Sequence, residues 1–214
     1  MARSRLLVCG AIASIAAALG CSGVQRATLT TPLPVTTIEV APPPDATKVV
    51  YRAPRSRLHV HASDLLNGDH SIVFRKFRGS AEIDPRGRGV FHLDVDMRTL
   101  EAENDFITDF AKYELLEVDI HPRATIVATI APTDEPQIYK LTGNVTLHGV
   151  ERGIAFDATL VRRGDAIDLH AVFKMSRAEF AMRARRADWI IQDDLRITLD
   201  LHAGPEQVTI EPLP

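Results

Sequence analysis

The sequence predicts an all-β fold, an antiparallel barrel of eight strands with one short helix. Three observations carry this. Beyond Tyr51, apolar and polar residues alternate at period two in segment after segment. Turn-forming residues recur between those segments. Only one stretch has helical spacing. Strands of similar length, each with one apolar face, must stack as a sandwich or close into a barrel. The barrel is the expected form, with the sandwich as its alternative. Eight strands make a barrel just wide enough to hold one small ligand.

The 214 residues do not all belong to that barrel. No aromatic residue precedes Tyr51, and all eight Phe fall at or after Phe74, so the first fifty residues lack the material of a core. Residues 1–20 have the layout of an export signal: Arg3 and Arg5, then an apolar run from Leu6 to Leu19, then small residues. Fourteen apolar residues fall short of the roughly 20 that span a bilayer. The run ends Ala18-Leu19-Gly20-Cys21-Ser22, which resembles a bacterial lipoprotein cleavage box with Cys21 as the lipidated residue. Cleavage there removes twenty residues and two arginines, leaving 194 residues of charge −5 instead of −3. The other cysteine, Cys9, lies within the signal, so the mature chain can form no internal disulfide. Ser22 after the cysteine is similar to the outer-membrane sorting pattern of such lipoproteins, which implies a periplasmic, lipid-anchored protein. Residues 21–48 hold five of the thirteen prolines, Pro42-Pro43-Pro44 among them, and read as a semi-rigid Pro/Thr-rich tether.

The barrel domain is expected over residues 49–214. Phe91, Leu93, Val95 and Met97 alternate with His92, Asp94 and Asp96. The same count holds for Ile154 to Leu160, Ile167 to Met175 and Leu195 to Leu201, and further strands are expected over Leu58 to Ala62, Ser71 to Ile83, Ala124 to Ile130 and Ile138 to Leu147. Asn67-Gly68-Asp69, Asp84-Pro85-Arg86-Gly87 and Arg163-Gly164-Asp165 supply turns. Asn104 to Leu116, with Phe106, Phe110, Tyr113 and Leu116 at helical spacing, is the expected helix, lying across or beside a mouth.

The chain is not basic, which argues against nucleic acid as a partner. No Gly-x-Ser-x-Gly elbow, no cysteine in the mature domain and no Ser/His/Asp placement points to nucleophilic catalysis, so no enzyme is expected. His59-Val60-His61 puts two imidazoles on one strand face, but no third ligand can be assigned. His121, His148, His170 and His202 stand singly at expected strand surfaces or ends; no metal and no cofactor is expected.

Three segments carry a family resemblance. Leu141-Thr142-Gly143-Asn144-Val145-Thr146-Leu147-His148-Gly149-Val150-Glu151-Arg152, followed by Ile154-Ala155-Phe156, resembles the hairpin of YceI-like proteins, the polyisoprenoid-binding lipocalin-like barrels. Phe110 to Pro122, with Leu115-Leu116-Glu117-Val118 and His121-Pro122, is similar to that family's Phe-Phe-Asp-Val segment. Met175-Ser176-Arg177-Ala178-Glu179-Phe180-Ala181-Met182, then Ile191-Gln192-Asp193-Asp194-Leu195-Arg196-Ile197, resembles its ending. The family's early Asp-x-x-His-Ser is reduced to Arg55-Ser56, and its Phe-Gly pair is Phe180-Ala181 here.

The resemblance covers Tyr51 to about Ala203 and implies a periplasmic antiparallel barrel around an apolar channel for an isoprenoid or other lipid. The residues agree, since such a channel needs continuous apolar inward faces. Phe91, Leu93, Phe156, Leu160, Phe173 and Leu199 are the candidate lining, with Phe106 and Phe110 as a helical lid. For any single one of these the plainer reading is a packed core residue, and the alternative is a structural or interaction lipoprotein with a filled barrel. Arg177, Arg183, Arg185 and Arg186, around Phe180 and Trp189, are candidates for a polar head group, against the plainer reading of a solvated basic loop.

Overall fold

The computed structural model describes residues 28–29, 33–35, 41–66, 68–164, 166–185 and 187–203. Residues 1–20, Cys21 and Arg186 lie outside the described residues. The strands are β1 (Thr28–Leu29), β2 (Thr47–Arg52), β3 (Arg57–Asp64), β4 (Gly68–Phe74), β5 (Phe77–Ile83), β6 (Gly89–Asp96) and β7 (Leu100–Glu101), then β8 (Arg123–Pro132), β9 (Ile138–Leu147), β10 (Val150–Arg163), β11 (Ala166–Ser176) and β12 (Asp194–Leu201). Eleven of them form one path, β2-β5-β6-β8-β9-β10-β11-β12-β3-β4-β7, with β1 beside β11. The lipocalin-like barrel class fits, but the strand number corrects the expected eight. The difference has local causes. The segment expected as one strand, Ser71 to Ile83, is broken at Arg75-Lys76 into β4 and β5; β1 and β7, of two residues each, carry too few residues for a periodic signal, and in β2 the adjacent Val49 and Val50 break the alternation.

The sheet must curl because of its connections. β2 and β3 stand eight strand spacings apart on the path, about 38 Å on a flat sheet. The link Ala53–Ser56 joins them, and such a link spans no more than about 18 Å. Only Arg75 and Lys76 join β4 to β5, from opposite ends of the path. Neighbouring strands pair antiparallel along the whole path, and β9 turns into β10 through His148 and Gly149, both with positive φ (51° and 72°). That two-residue turn matches the twist of the flanking strands. β10 follows β11 only over Ala158–Arg163, and beyond that point the two separate. Pieces of the segment read as a tether meet the sheet there: Thr28–Leu29 pairs parallel with Phe173 and Lys174, and Leu33 bridges Gly153. A Cβ on Gly153 would lie 2.5 Å from the Pro34 carbonyl oxygen, so the missing side chain admits this backbone.

The expected helix is real but differently wound. Asn104 caps it by accepting from the Ile107 N–H at 2.9 Å, and a short α1 (Asp105–Asp109) runs straight into a π-helical turn, Phe110–Leu115. The wider turn, seen in the Leu116 N–H donating to the Ala111 carbonyl at 3.0 Å, rotates the inward face to Ala111, Leu115 and Leu116. Phe106, expected inside the lid, is 75% exposed as a result, and Phe110 is half-buried at the edge of the core.

Candidate functional site

The core divides along the barrel. In one half, β8, β9 and β10 set Ile130, Leu141 and Phe156 side by side, with Tyr51, Phe91 and Leu169 fully buried among them. The Tyr51 hydroxyl reaches across to donate to the Ile167 carbonyl at 2.9 Å, and burial pushes its pKa far above the ordinary tyrosine range. This half is filled. In the other half, β6, β8 and β9 align Leu93, Ile126 and Val145, and these face a cavity of about 110 Å³. Twenty-three residues line it, and of these only Thr125 has a polar side chain. Ala111, Leu115 and Leu116 from the helical segment close its end, joined by Met97, Met175 and Met182.

The predicted lining residues therefore part company. Leu93, Phe173 and Leu199 line the cavity. Phe156 does not: its ring stacks on Phe173 at 4.2 Å, 17° from parallel, so that Phe173 forms the floor over a packed layer. Phe91 and Leu160 are buried in the filled half for the same reason, because an inward position says nothing about its height in the barrel. Phe110 and Phe106 are set outside the cavity by the π turn, and Ala111, Leu115 and Leu116 take the lid's place. Of these, Leu116 stood on the expected helical face, whereas Tyr113 of that face is exposed; sequence reasoning missed Ala111 and Leu115, one residue out of the assumed phase, and did not put the methionines in the lining.

The arginines also separate. Arg177 is buried and spends all five N–H donors inside the protein: on the Asp188 carboxylate at 2.6 Å and on the carbonyls of Met182, Asp188, Ile191 and Gln192. It ties Met182, which lines the cavity, to Asp188, Ile191 and Gln192, and it has no donor left for a head group. Bonds from Arg177 hold the Asp188 carboxyl below the usual aspartate range. Arg183 reaches Asp188 at 3.5 Å and is otherwise solvent-exposed, as is Arg185.

A second clamp holds the start of the helical segment. His70 on β4 binds the Asp64 carboxylate through Nε2 at 2.8 Å and the Glu103 carboxylate through Nδ1, just before the Asn104 cap. Burial acts to lower the His70 pKa, but the bonds to Glu103 and Asp64 outweigh it and raise it above 6.5. His59 and His61 do share one face of β3, with ring centroids 6.4 Å apart, and no third ligand joins them among the described residues. His170 and His202 lie on the outer surface beside Asp200, and His202 also beside Asp168. His121 and His148, expected singly, meet edge to face at 4.5 Å.

Comparison with known proteins agrees with this architecture. The family model described as YceI-like domain matches residues 51–203. Two UPF0312 proteins, from Pectobacterium atrosepticum and Pectobacterium carotovorum, are each 30% identical over 95 residues, which is 43% of this chain and 49% of theirs. The match thus spans about half the length of these curated relatives. Among solved structures, Burkholderia cenocepacia BcnA superposes with a TM-score of 0.64 at 21% identity, over 70% of this chain and 96% of that one. A polyisoprenoid binding domain from Saccharophagus degradans, described as implicated in plant cell wall breakdown, gives 0.58 at 16% identity, over 73% and 99%. These likenesses establish the fold; with the family model covering most of the chain, the protein belongs to the YceI-like family.

Proposed function

We propose that this chain is a non-enzymatic binding module of the bacterial cell envelope that holds an apolar chain, a polyisoprenoid, quinone or similar lipid, in the open half of its barrel. The observation that carries this is the cavity wall, apolar at every side chain but Thr125. Such a wall offers dispersion contacts and excludes water, and has no group for chemistry.

Size sharpens the reading. A cavity of about 110 Å³ takes roughly one five-carbon unit, and burying five carbons yields about 4 kcal/mol. That is millimolar binding. Micromolar retention needs at least about two units, so the end of the cavity must yield. The π turn and the three methionines are the parts suited to it, since methionine repacks around varied shapes. Lipidation at Cys21 fits the same role, holding the barrel near the membrane from which such a ligand comes, with the periplasmic face of the outer membrane as the proposed location.

The test is direct. A Cys21→Ala form secreted to a bacterial periplasm is purified without detergent, and its organic extract is examined by mass spectrometry. A co-purifying lipid, and saturable uptake of a fluorescent polyprenyl probe, are expected. Recovery of no lipid together with no uptake overturns the proposal. Labelling with a radioactive fatty acid in wild type but not in Cys21→Ala tests the anchor separately.

A further inference from the structure

Three side chains that the apolar cavity does not use converge beside its closed end. Leu116 and Leu147 line the cavity, and the residues that follow them, Glu117 and His148, face one another with His121 alongside. Each of the three presents a ligand atom, and these atoms all lie within 4.8 Å of one another. Their placement is built into the backbone. Glu117 and His148 both have positive φ, 45° and 51°. The N–H groups of Ile120 and His121 donate back to the Glu117 carbonyl at 2.8 and 2.9 Å, folding His121 over Glu117. Gly149 leaves room for the His121 ring, because a Cβ there would lie 2.8 Å from the ring's Cε1.

The hydrogen bonding leaves a place for a cation. His148 Nδ1 lies 3.0 Å from the Phe180 carbonyl oxygen, which can only accept, so Nδ1 carries the hydrogen. The lone pair of a neutral imidazole is then on Nε2, and Nε2 lies 3.0 Å from Glu117 Oε2, a second acceptor. Two acceptors at that distance need a proton or a metal ion between them. A carbonyl that fixes the distal nitrogen is also the usual support behind a metal-binding histidine. Tetrahedral zinc, with bonds near 2.0–2.1 Å, sets neighbouring ligand atoms about 3.4 Å apart. The pair needs to open by only a few tenths of an ångström.

We propose that Glu117, His121 and His148 form a binding site for a borderline divalent ion of the zinc type. Two imidazoles and one carboxylate suit zinc or cobalt over calcium or magnesium, which prefer oxygen ligands throughout. Glu117 is partly exposed, so a fourth position is left to solvent. A bound ion would tie the loop after the helical segment to the β9–β10 turn and, through Phe180, to the turn after β11.

The full chain, purified without a histidine tag and stripped with a chelator, is titrated with Co(II) and separately with Zn(II). One Co(II) per chain should bind with the visible absorption of a four-coordinate ion, and Zn(II) at a hundredfold excess over its Kd should raise Tm by about 5 °C or more. Glu117→Gln and His121→Ala, both on a partly exposed loop, should each weaken binding by about tenfold or more. Circular dichroism confirms that these variants are folded. The proposal is overturned if no four-coordinate cobalt spectrum forms and Tm does not move, since the pair is then bridged by a proton alone. It is equally overturned if binding survives both substitutions and is lost in His59→Ala, which would place the ion on β3.

Discussion

The two halves of the barrel are made from the same strands and the same alternation, yet one is solid and the other hollow. In the filled half, rings from Tyr51, Phe91 and Phe156 interlock with small neighbours, Ala81, Ala128, Ala158 and Ala171, all fully buried. In the hollow half the facing residues are chiefly Leu, Ile, Val and Met, and Phe173 and Phe74 are the only rings among its lining. Aliphatic chains of medium length cover the wall without meeting across the axis. The difference teaches that the filled and open forms of a barrel are not alternatives for the whole molecule. One half is packed solid, and the other keeps an apolar hollow.

Substitutions can break that division. Phe156→Ala removes the ring stacked beneath Phe173, and should cost about 3–5 kcal/mol in denaturant unfolding. A loss under 1 kcal/mol would show that the layer is not packed. Arg177→Met strips the loop 181–192 of its five bonds and leaves buried carbonyls unpaired, for an expected loss of about 2–4 kcal/mol. Hydrogen exchange in residues 181–192 should rise with it. Val145→Phe, facing the cavity, should leave stability within about 1 kcal/mol while reducing polyprenyl probe uptake about tenfold. Unchanged uptake would place the ligand elsewhere. Ala181 occupies the left-handed region at φ 55°, where the family has glycine. Ala181→Gly should therefore stabilise by about 1 kcal/mol, read as a rise in Tm.

The smallest expected effect is one of pH. The His70 pKa is raised in the folded protein, so its bonds contribute fully below about 6.5 and are lost as pH rises through the raised value. Glu103, on the same bond, has a lowered pKa: burial acts to raise it, and the His70 bond outweighs this. Its contribution is present above its unfolded value and lost as pH falls through the folded one. The start of the helical segment should thus be held most tightly in mildly acidic conditions and loosen toward alkaline pH. Faster probe exchange in wild type as pH rises through the raised His70 value, and none of this dependence in His70→Gln, is the expected pattern; equal slopes in the two proteins would rule the clamp out.

Much of this was legible in the residues. Seven of the eight expected strand segments, the helical stretch and the inward faces follow from spacing, the eighth being two strands, and the family from three short segments. The site was legible only in part. Leu93, Phe173 and Leu199 line the cavity, whereas Phe91, Phe156 and Leu160, on equally apolar faces, lie in the packed layer. Nothing in period-two alternation distinguishes them, because it records which face a side chain takes and not what stands opposite. Phe106 failed differently, through one extra residue in the π turn. His121 and His148, twenty-seven positions apart, gave no spacing signal because two whole strands, β8 and β9, and turns with positive φ bring them together.

What the sequence by itself determined is therefore local and periodic: antiparallel strands, their inward faces, the turns, the helical segment and the family. Only the tertiary structure decided where the barrel is hollow, which residues close it, and which polar groups meet at its mouth. Backbone geometry repeats every two residues and can be read along a line. A cavity, a saturated arginine and a His-Glu-His cluster depend on contacts across the barrel, which short links such as Arg75-Lys76 bring about by curling the sheet onto itself.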